Sequence, residues 1–418
     1  MGPAPASRSR PLVRIPVPPG PAGLQALQPH VLAALDGSGP AIVPIPVVGM
    51  TVSSQFVQRI LDATRPDDPS APLEDEDIAV VMPTSGSTGN PRGVLHTSGS
   101  LHALSAAVNG AGRPQWIAAL PLTSMGGFNV ALRAWHCEVE PIALPSIGGA
   151  AAFTPQAFAD TVERAARSSA DIRVSLVAAQ LRRLLGDDAG THALATCQQV
   201  LVGAGPVPAT TLQAAQDAGI AITRTYGATE TAGGCVYEGR PLPGVTINIA
   251  AGQEGEVVIN GPMLARGYRL QPDLTAERFT ANGYRTGDLG RLDHGLLSIR
   301  GRMDDVVIIA GVNVSVSAVE AAIAELPDIA SCAVVSITTT GGEPELAAIA
   351  VPREEGSPEA HPAITEQIRN AVRALLGSHA VPRRIALSST LPCLPNGKAD
   401  RRGIAEAATR REGFRWQP

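Results

Sequence analysis

The spacing of hydrophobic positions changes several times along the chain, and each change predicts a different element. Leu24, Leu27, Val31, Leu32 and Leu35 recur three and four residues apart, which predicts an amphipathic helix over residues 22–35. Residues 41–48 are apolar but interrupted by Pro44 and Pro46, the pattern of an edge strand. An acidic, proline-containing linker over residues 65–77 leads to the apolar run Ile78-Ala79-Val80-Val81-Met82, a strand. Residues 98–109 read as a helix opened by Thr97 or Ser98 as N-cap. Trp116–Leu120 reads as a short strand and Phe128–His136 as a helix. Thr154-Pro155 pairs an N-cap with a proline at the first helical position and opens a helix to about Ser168.

Strands at 173–177, 199–202 and 221–225 then alternate with helices at 178–185 and 208–217. Such alternation implies crossover units and parallel sheet. From Pro241 to Arg300 short strands and turns predict a β-rich subdomain. After Arg302 come a strand at 306–309, a helix at 317–326, strands at 333–337 and 346–351, and a helix at 363–376. The expected fold is therefore α/β plus α+β: a large N-terminal domain with parallel-sheet α/β layers and a β-rich subdomain, then a small C-terminal α+β domain. The expected boundaries are a flexible Pro-rich tail at 1–20, the large domain at 21–301, a junction at 302–304 and the small domain at 305–418.

Composition narrows the function classes. The 418 residues are 44% hydrophobic and 17% charged, which fits a folded chain rather than a disordered one. A net charge of −5 gives no electrostatic reason to expect nucleic acid or an anionic membrane as partner, and 3% aromatics supply few base-stacking platforms. No apolar run approaches the roughly 20 residues that span a bilayer. Residues 1–20 carry Arg8, Arg10 and Arg14, but prolines break any apolar core that a signal peptide would need. Cys137, Cys197, Cys235, Cys332 and Cys393 form no C-x-x-C pair, so a zinc site is not expected, and scattered reduced thiols fit a cytoplasmic location.

The segment richest in candidate chemistry is Pro83-Thr84-Ser85-Gly86-Ser87-Thr88-Gly89-Asn90-Pro91-Arg92-Gly93, directly after the apolar run. Glycines let backbone N–H groups approach a polyphosphate, and Thr84, Ser85, Ser87 and Thr88 add hydroxyl donors. The G-x-x-x-x-G-K-[ST] spacing of a Walker A loop is absent. By itself such a loop is equally a mobile surface loop.

Four further motifs follow in order: Tyr226-Gly227-Ala228-Thr229-Glu230-Thr231, Tyr284-Arg285-Thr286-Gly287-Asp288, Gly301-Arg302-Met303-Asp304-Asp305 and Pro395-Asn396-Gly397-Lys398. Together with the glycine-rich loop they resemble the adenylate-forming superfamily of acyl-CoA synthetases, peptide-synthetase adenylation domains and luciferases. The resemblance spans about residues 78–402. It implies an enzyme that uses ATP, Mg²⁺ and coenzyme A on a small carboxylic acid, with a homodimer left open. The glycine-rich loop begins earlier than in most of that superfamily, which points to its short acyl-CoA synthetases.

The resemblance also assigns roles. Thr84, Ser85, Gly86, Ser87, Thr88 and Gly89 hold the β- and γ-phosphates; Gly203, Ala204 and Gly205 border adenine and the acyl group; Tyr226 and Gly227 flank adenine. Thr229 contacts the α-phosphate and Glu230 holds Mg²⁺, a hard oxygen ligand for a hard cation. Asp288 accepts from the ribose hydroxyls, for which a carboxylate has enough acceptor sites, and Arg302 is a second ribose contact. Asp304 matches the hinge on which the small domain swivels, and Lys398 the lysine delivered for adenylation. Arg92 stands where the family usually has lysine, a planar fork in place of a point charge.

For the acid, Ser175–Leu181, Thr229–Tyr237 and the stretch from Leu120 to Arg133 resemble the o-succinylbenzoate–CoA synthetases of menaquinone biosynthesis. Their substrate carries a spectator carboxylate, and a buried anion needs a cation or several donors. Arg133 is the candidate, and it reads equally as a structural arginine. Gln180 is a polar contact or a helix cap, Gly234 lies in the matching run, and Ser124 occupies the position of the usual histidine. Another acyl- or aryl-CoA ligase, and a non-catalytic nucleotide-binding homologue, are the alternatives.

Overall fold

The computed structural model describes residues 10–49, 52–84, 91–249, 254–339, 342–353, 361–393 and 399–410, apart from the side chains of 304, 313 and 361. Two compact units emerge. One comprises residues 1–203, 218–248 and 258–286, and the other residues 204–217, 249–257 and 287–418.

The first unit contains two sheets. In one, the strands Leu12–Val17, Ala41–Pro46, Ile78–Pro83, Gly93–Thr97 and Gly267–Tyr268 lie side by side in that order. The first three run parallel and the last two pairings are antiparallel. This corrects two sequence expectations. Residues 12–17 are a strand rather than part of a flexible tail, because Leu12, Ile15 and Val17 bury their side chains. The segment Ala41–Pro46 is an interior strand, not an edge. Its ladder with Ile78–Pro83 is registered at Ile42↔Val80, upstream of both prolines, so the missing N–H groups of Pro44 and Pro46 break nothing on that side.

The second sheet has seven strands, in which Ile142–Ala143, Gln115–Ala118, Ile172–Val177, Gln199–Gly203 and Ile222–Ala228 are parallel neighbours. Gly233–Tyr237 returns antiparallel to Ile222–Ala228. The predicted helices are present, at Pro155–Ala166, Ala178–Leu185 and Ala209–Asp217. Thr154 caps the first through the Ala157 N–H at 3.2 Å, and Thr97 caps Ser98–Asn109 through the Ser100 N–H at 3.0 Å. Helices at Ser54–Thr64 and Asp188–Thr196 are additions to the sequence reading.

One buried arginine organises the approach to the glycine-rich loop. Arg269 is fully buried, and its guanidinium donates to the carbonyls of Thr64, Ala71 and Pro72 and to the Glu74 carboxylate. Its own N–H donates to the Gly93 carbonyl at 2.7 Å. The predicted linker at 65–77 is thereby tied down by its main chain. A Cβ on Gly93 would lie 2.7 Å from Val81 and 3.0 Å from the Arg269 side chain, so this position has room for glycine alone.

In the second unit the antiparallel strands Ile329–Thr338 and Pro344–Pro352 are extended by Arg384–Leu387, parallel to the latter. Side chains alternate between two faces. Val334, Leu346, Ala348 and Ala350 pack with Val319, Ile323, Ile368 and Val372 of the helices Val316–Ala324 and His361–Leu376. Ala333, Val335, Ala347 and Ile349 pack with Ile404 and Ala408 of the helix Arg401–Thr409. This is the expected α+β unit, with a last helix that the sequence reading did not include.

Candidate active site

Strand Ile222–Ala228 runs into a single 3-10 turn, Thr229–Thr231, before the return strand. The Thr231 hydroxyl fixes the turn by accepting from the Ala228 N–H at 2.8 Å and donating to the Gly233 carbonyl at 2.7 Å. Ala232 adopts a left-handed conformation (φ 54°), and its carbonyl accepts from the Asn129 amide. A Cβ on Gly227 would lie 2.0 Å from the Gly233 oxygen. Gly227 thus closes the hairpin, whatever it does for a ligand. Tyr226 and Thr229 are half-buried beside it.

This turn presents Glu230, which is buried. Its main-chain carbonyl accepts from the Ala265 N–H at 2.9 Å, and its Oε1 accepts from the Tyr268 hydroxyl at 2.8 Å. Among the described residues no cation lies within salt-bridge distance of this carboxylate. Burial, then the Glu230 charge, pushes the Tyr268 and Tyr284 phenols well above their ordinary range, so both remain protonated donors. Phe279 packs against both rings, with centroid separations of 5.5 and 5.0 Å. The Arg92 guanidinium lies over the Tyr268 ring at 5.7 Å. A buried carboxylate with a single neutral donor among the described residues suits a divalent cation, the role expected of Glu230 from the sequence.

His96 is fully buried in the strand Gly93–Thr97, beside the Thr229 backbone. Burial lowers its pKa to about 4, and the Thr229 backbone only partly opposes this. Its Nδ1 is 3.5 Å from the Ser100 hydroxyl. His96 and Tyr268 are new to the site, and Tyr284, the first residue of its motif, gains a role that the sequence did not give it.

Thr84 closes the base of the glycine-rich loop: its N–H donates to the Arg92 carbonyl at 2.8 Å, and its Oγ1 accepts from the Arg92 N–H at 3.3 Å. Ser85, Gly86, Ser87, Thr88 and Gly89 lie outside the described residues, as does Lys398. Gly203 ends its strand where a Cβ would lie 2.6 Å from the Thr225 hydroxyl. In the second unit Ala204 is left-handed (φ 67°), and both it and Gly205 are exposed.

The acyl-side candidates sort into two groups. Arg133 is buried on the helix Met125–His136, over the Trp116 ring at 5.3 Å and next to Tyr237. Its Nε has no hydrogen-bond partner, and no carboxylate of the described residues is within salt-bridge distance. A Cβ on Gly234 would sit 3.6 Å from Tyr237, so Arg133, Tyr237 and Gly234 form one cluster. Ser124 and Gln180 hydrogen-bond neighbouring main chain. The Ser124 hydroxyl donates to the Pro121 carbonyl at 2.8 Å. The Gln180 amide accepts from the Val177 N–H and donates to the Ala119 carbonyl, both at 3.1 Å, which is the helix-cap alternative.

In the second unit Asp288 and Arg302 are cross-strand partners in register, with Nη1 3.3 Å from Oδ1. The Gly287 N–H next to Asp288 donates to the Glu256 carboxylate at 3.2 Å. Asp304 lies in the 3-10 turn Met303–Asp305 that directly follows this hairpin.

The profile of the AMP-binding enzyme family matches residues 36–269, and that of the AMP-binding enzyme C-terminal domain matches residues 318–398. A Mycobacterium tuberculosis protein (strain H37Rv) named probable 2-succinylbenzoate–CoA ligase is 37% identical over 386 residues, covering 90% of this chain and 94% of that protein. The 2-succinylbenzoate–CoA ligase of Geobacillus kaustophilus is 31% identical over 343 residues, covering 76% and 66%. Among solved structures, the amide bond synthetase McbA of Marinactinospora thermotolerans superposes with a TM-score of 0.75 at 24% identity, over 95% of this chain and 90% of that one. The o-succinylbenzoate coenzyme A synthetase of Bacillus subtilis, in complex with AMP, gives 0.68 at 22% identity over 95% and 88%. With its ordered motifs and this architecture, the chain belongs to the AMP-binding enzyme family and has the fold of the adenylate-forming enzymes.

Proposed function

We propose that this protein activates 2-succinylbenzoate with ATP as an acyl-adenylate and transfers the acyl group to coenzyme A, the ligase step of menaquinone biosynthesis. One carboxylate oxygen of the acid attacks the α-phosphorus in line, and pyrophosphate leaves. Both reactants are anions, so the site must neutralise and orient them. Thr229 contacts the α-phosphate, the segment 84–89 holds the outer phosphates, and Tyr226 flanks adenine with Gly203, Ala204 and Gly205. Asp288 and Arg302 bind ribose. Mg²⁺ supplies charge neutralisation at the phosphates, and Glu230 is the residue that holds it. Lys398 brings its ammonium to the attacking carboxylate and α-phosphate. With Asp304 as hinge, the thiol of coenzyme A then attacks the mixed anhydride and AMP departs. The substrates are small molecules, the location is the cytoplasm, and a homodimer is compatible with this scheme.

The observation that carries the choice of acid is Arg133: a buried guanidinium with an unpaired Nε and no carboxylate partner among the described residues. Its charge calls for an anion, and the spectator carboxylate of 2-succinylbenzoate supplies one. The relatives of that name, at 37% and 31% identity, support the same choice. The test is thioester formation from ATP, Mg²⁺ and coenzyme A over a panel of acids. Thioester from 2-succinylbenzoate, with benzoate and fatty acids used poorly, is the expected result. Faster turnover of a monocarboxylic acid would overturn the substrate, and absence of any acyl-adenylate would overturn the reaction.

A further inference from the structure

Tyr268 lies 38 residues from Glu230 in sequence and touches it in space. Its two ends face two different charges. The hydroxyl donates to Glu230 Oε1 at 2.8 Å, and the ring face carries the Arg92 guanidinium at 5.7 Å. The residue is itself held. It is 2% exposed, its ring packs edge-on against Phe279 at 5.5 Å, and its N–H donates to the Thr275 hydroxyl at 2.9 Å. The neighbouring Arg269 is locked by the carbonyls described above. A rigid phenol of this kind can fix the rotation of a carboxylate, and a rigid ring face can aim a guanidinium.

We propose that Tyr268 is a positioning residue for the adenylation site: its hydroxyl turns the Glu230 carboxylate so that the second oxygen is presented to the metal, and its ring holds Arg92 toward the outer phosphates of ATP. This rests on the reading of Glu230 as the Mg²⁺ ligand and deepens it. It also accounts for arginine at position 92. A planar guanidinium stacks on a phenol ring in a way that an ammonium does not.

The experiment uses the full chain with Tyr268→Phe, Tyr268→Leu and Glu230→Gln. Mn²⁺ binding is followed by electron paramagnetic resonance in the presence of α,β-methylene ATP, and metal-free AMP binding by calorimetry. Tyr268→Phe keeps the ring and loses the donor. It should weaken Mn²⁺ binding roughly 10-fold, the size typical of lost outer-shell support, with AMP affinity unchanged. Tyr268→Leu also loses the ring face and should weaken binding of the ATP analogue further, by a factor that AMP does not share. Wild-type Mn²⁺ affinity in Tyr268→Phe beside its loss in Glu230→Gln overturns the proposal and leaves Glu230 as the ligand. Wild-type Mn²⁺ affinity in Glu230→Gln overturns both. A fall in AMP affinity as large as that in Mn²⁺ affinity would mean that Tyr268 merely supports the fold, and would also overturn the proposal.

Discussion

Asp288 and Arg302 face each other across an antiparallel register, with the guanidinium Nη1 3.3 Å from the carboxylate Oδ1. Asp288 is the more enclosed partner, its side chain 16% exposed against 40% for Arg302. In the proposed reaction the pair meets the ribose diol as one unit, the carboxylate accepting and the guanidinium donating. Asp288→Asn should therefore raise KM for ATP and lower kcat/KM about 10- to 100-fold, the range for a hydrogen bond to a charged group. Arg302→Ala should cost less than this. ATP–pyrophosphate exchange kinetics measure both; a larger loss in the arginine variant would reverse the assignment.

The Arg133 cluster predicts a change of specificity rather than loss of the site. Arg133→Met keeps most of the stem that packs beside Trp116 and removes the charge. Turnover of 2-succinylbenzoate should fall about 100-fold or more, while benzoate is used no worse than before, because only the spectator carboxylate loses its partner. Parallel assays with the two acids decide the matter. An equal loss for both would return Arg133 to a purely structural role.

Lys398 predicts separable half-reactions. Lys398→Ala should abolish formation of the acyl-adenylate yet leave transfer from a supplied acyl-adenylate to coenzyme A largely intact. Single-turnover assays of each half, started from ATP and from synthetic adenylate, give the two rates. A parallel fall in both contradicts the role.

His96 predicts a pH-dependent stability. Its folded pKa of about 4 lies below the ordinary histidine value of 6.5, so between these values the unfolded chain takes a proton that the folded chain refuses. Its contribution is intact above pH 6.5 and is lost as pH falls toward 4. The full loss is about 3 kcal/mol on the scale of 1.36 kcal/mol per unit. Urea denaturation of the wild type and His96→Gln at pH 7.5 and 5 tests this: the variant should show a shallower decline. Equal slopes would mean that His96 is charged in the folded state or retains its burial when unfolded.

Elements set by local chemistry were legible in the sequence. Of the two expected caps Thr97 and Ser98, Thr97 caps its helix, Thr154 caps the next, and the helix expected at 178–185 spans Ala178–Leu185. The register of Asp288 with Arg302 was not legible, although both residues were picked for the same ribose. Residues 85–90 of the glycine-rich loop and Lys398, both in the ordered motifs, lie outside the described residues. What escaped the sequence reading depends on long-range contact. Arg269 meets acceptors 195 to 205 residues away, and Tyr268 meets Glu230 across 38. Neither spacing leaves a periodic trace. The strand at 12–17 was hidden by prolines on either side of it, which suggest disorder until a neighbouring strand is present to receive its hydrogen bonds. The Ser124 hydrogen bond to nearby main chain was not legible either, and that of Gln180 was legible only as one of two alternatives.

The guanidinium of Arg269 recognises the route of the backbone rather than its lettering. Three of its acceptors are the carbonyls of Thr64, Ala71 and Pro72. Substituting the exposed side chains of this stretch leaves the oxygens where they are; inserting or deleting one residue between 64 and 72 slides them away and leaves buried guanidinium N–H groups without acceptors. Evolution and engineering should thus find this stretch permissive in composition at its exposed positions and intolerant in length.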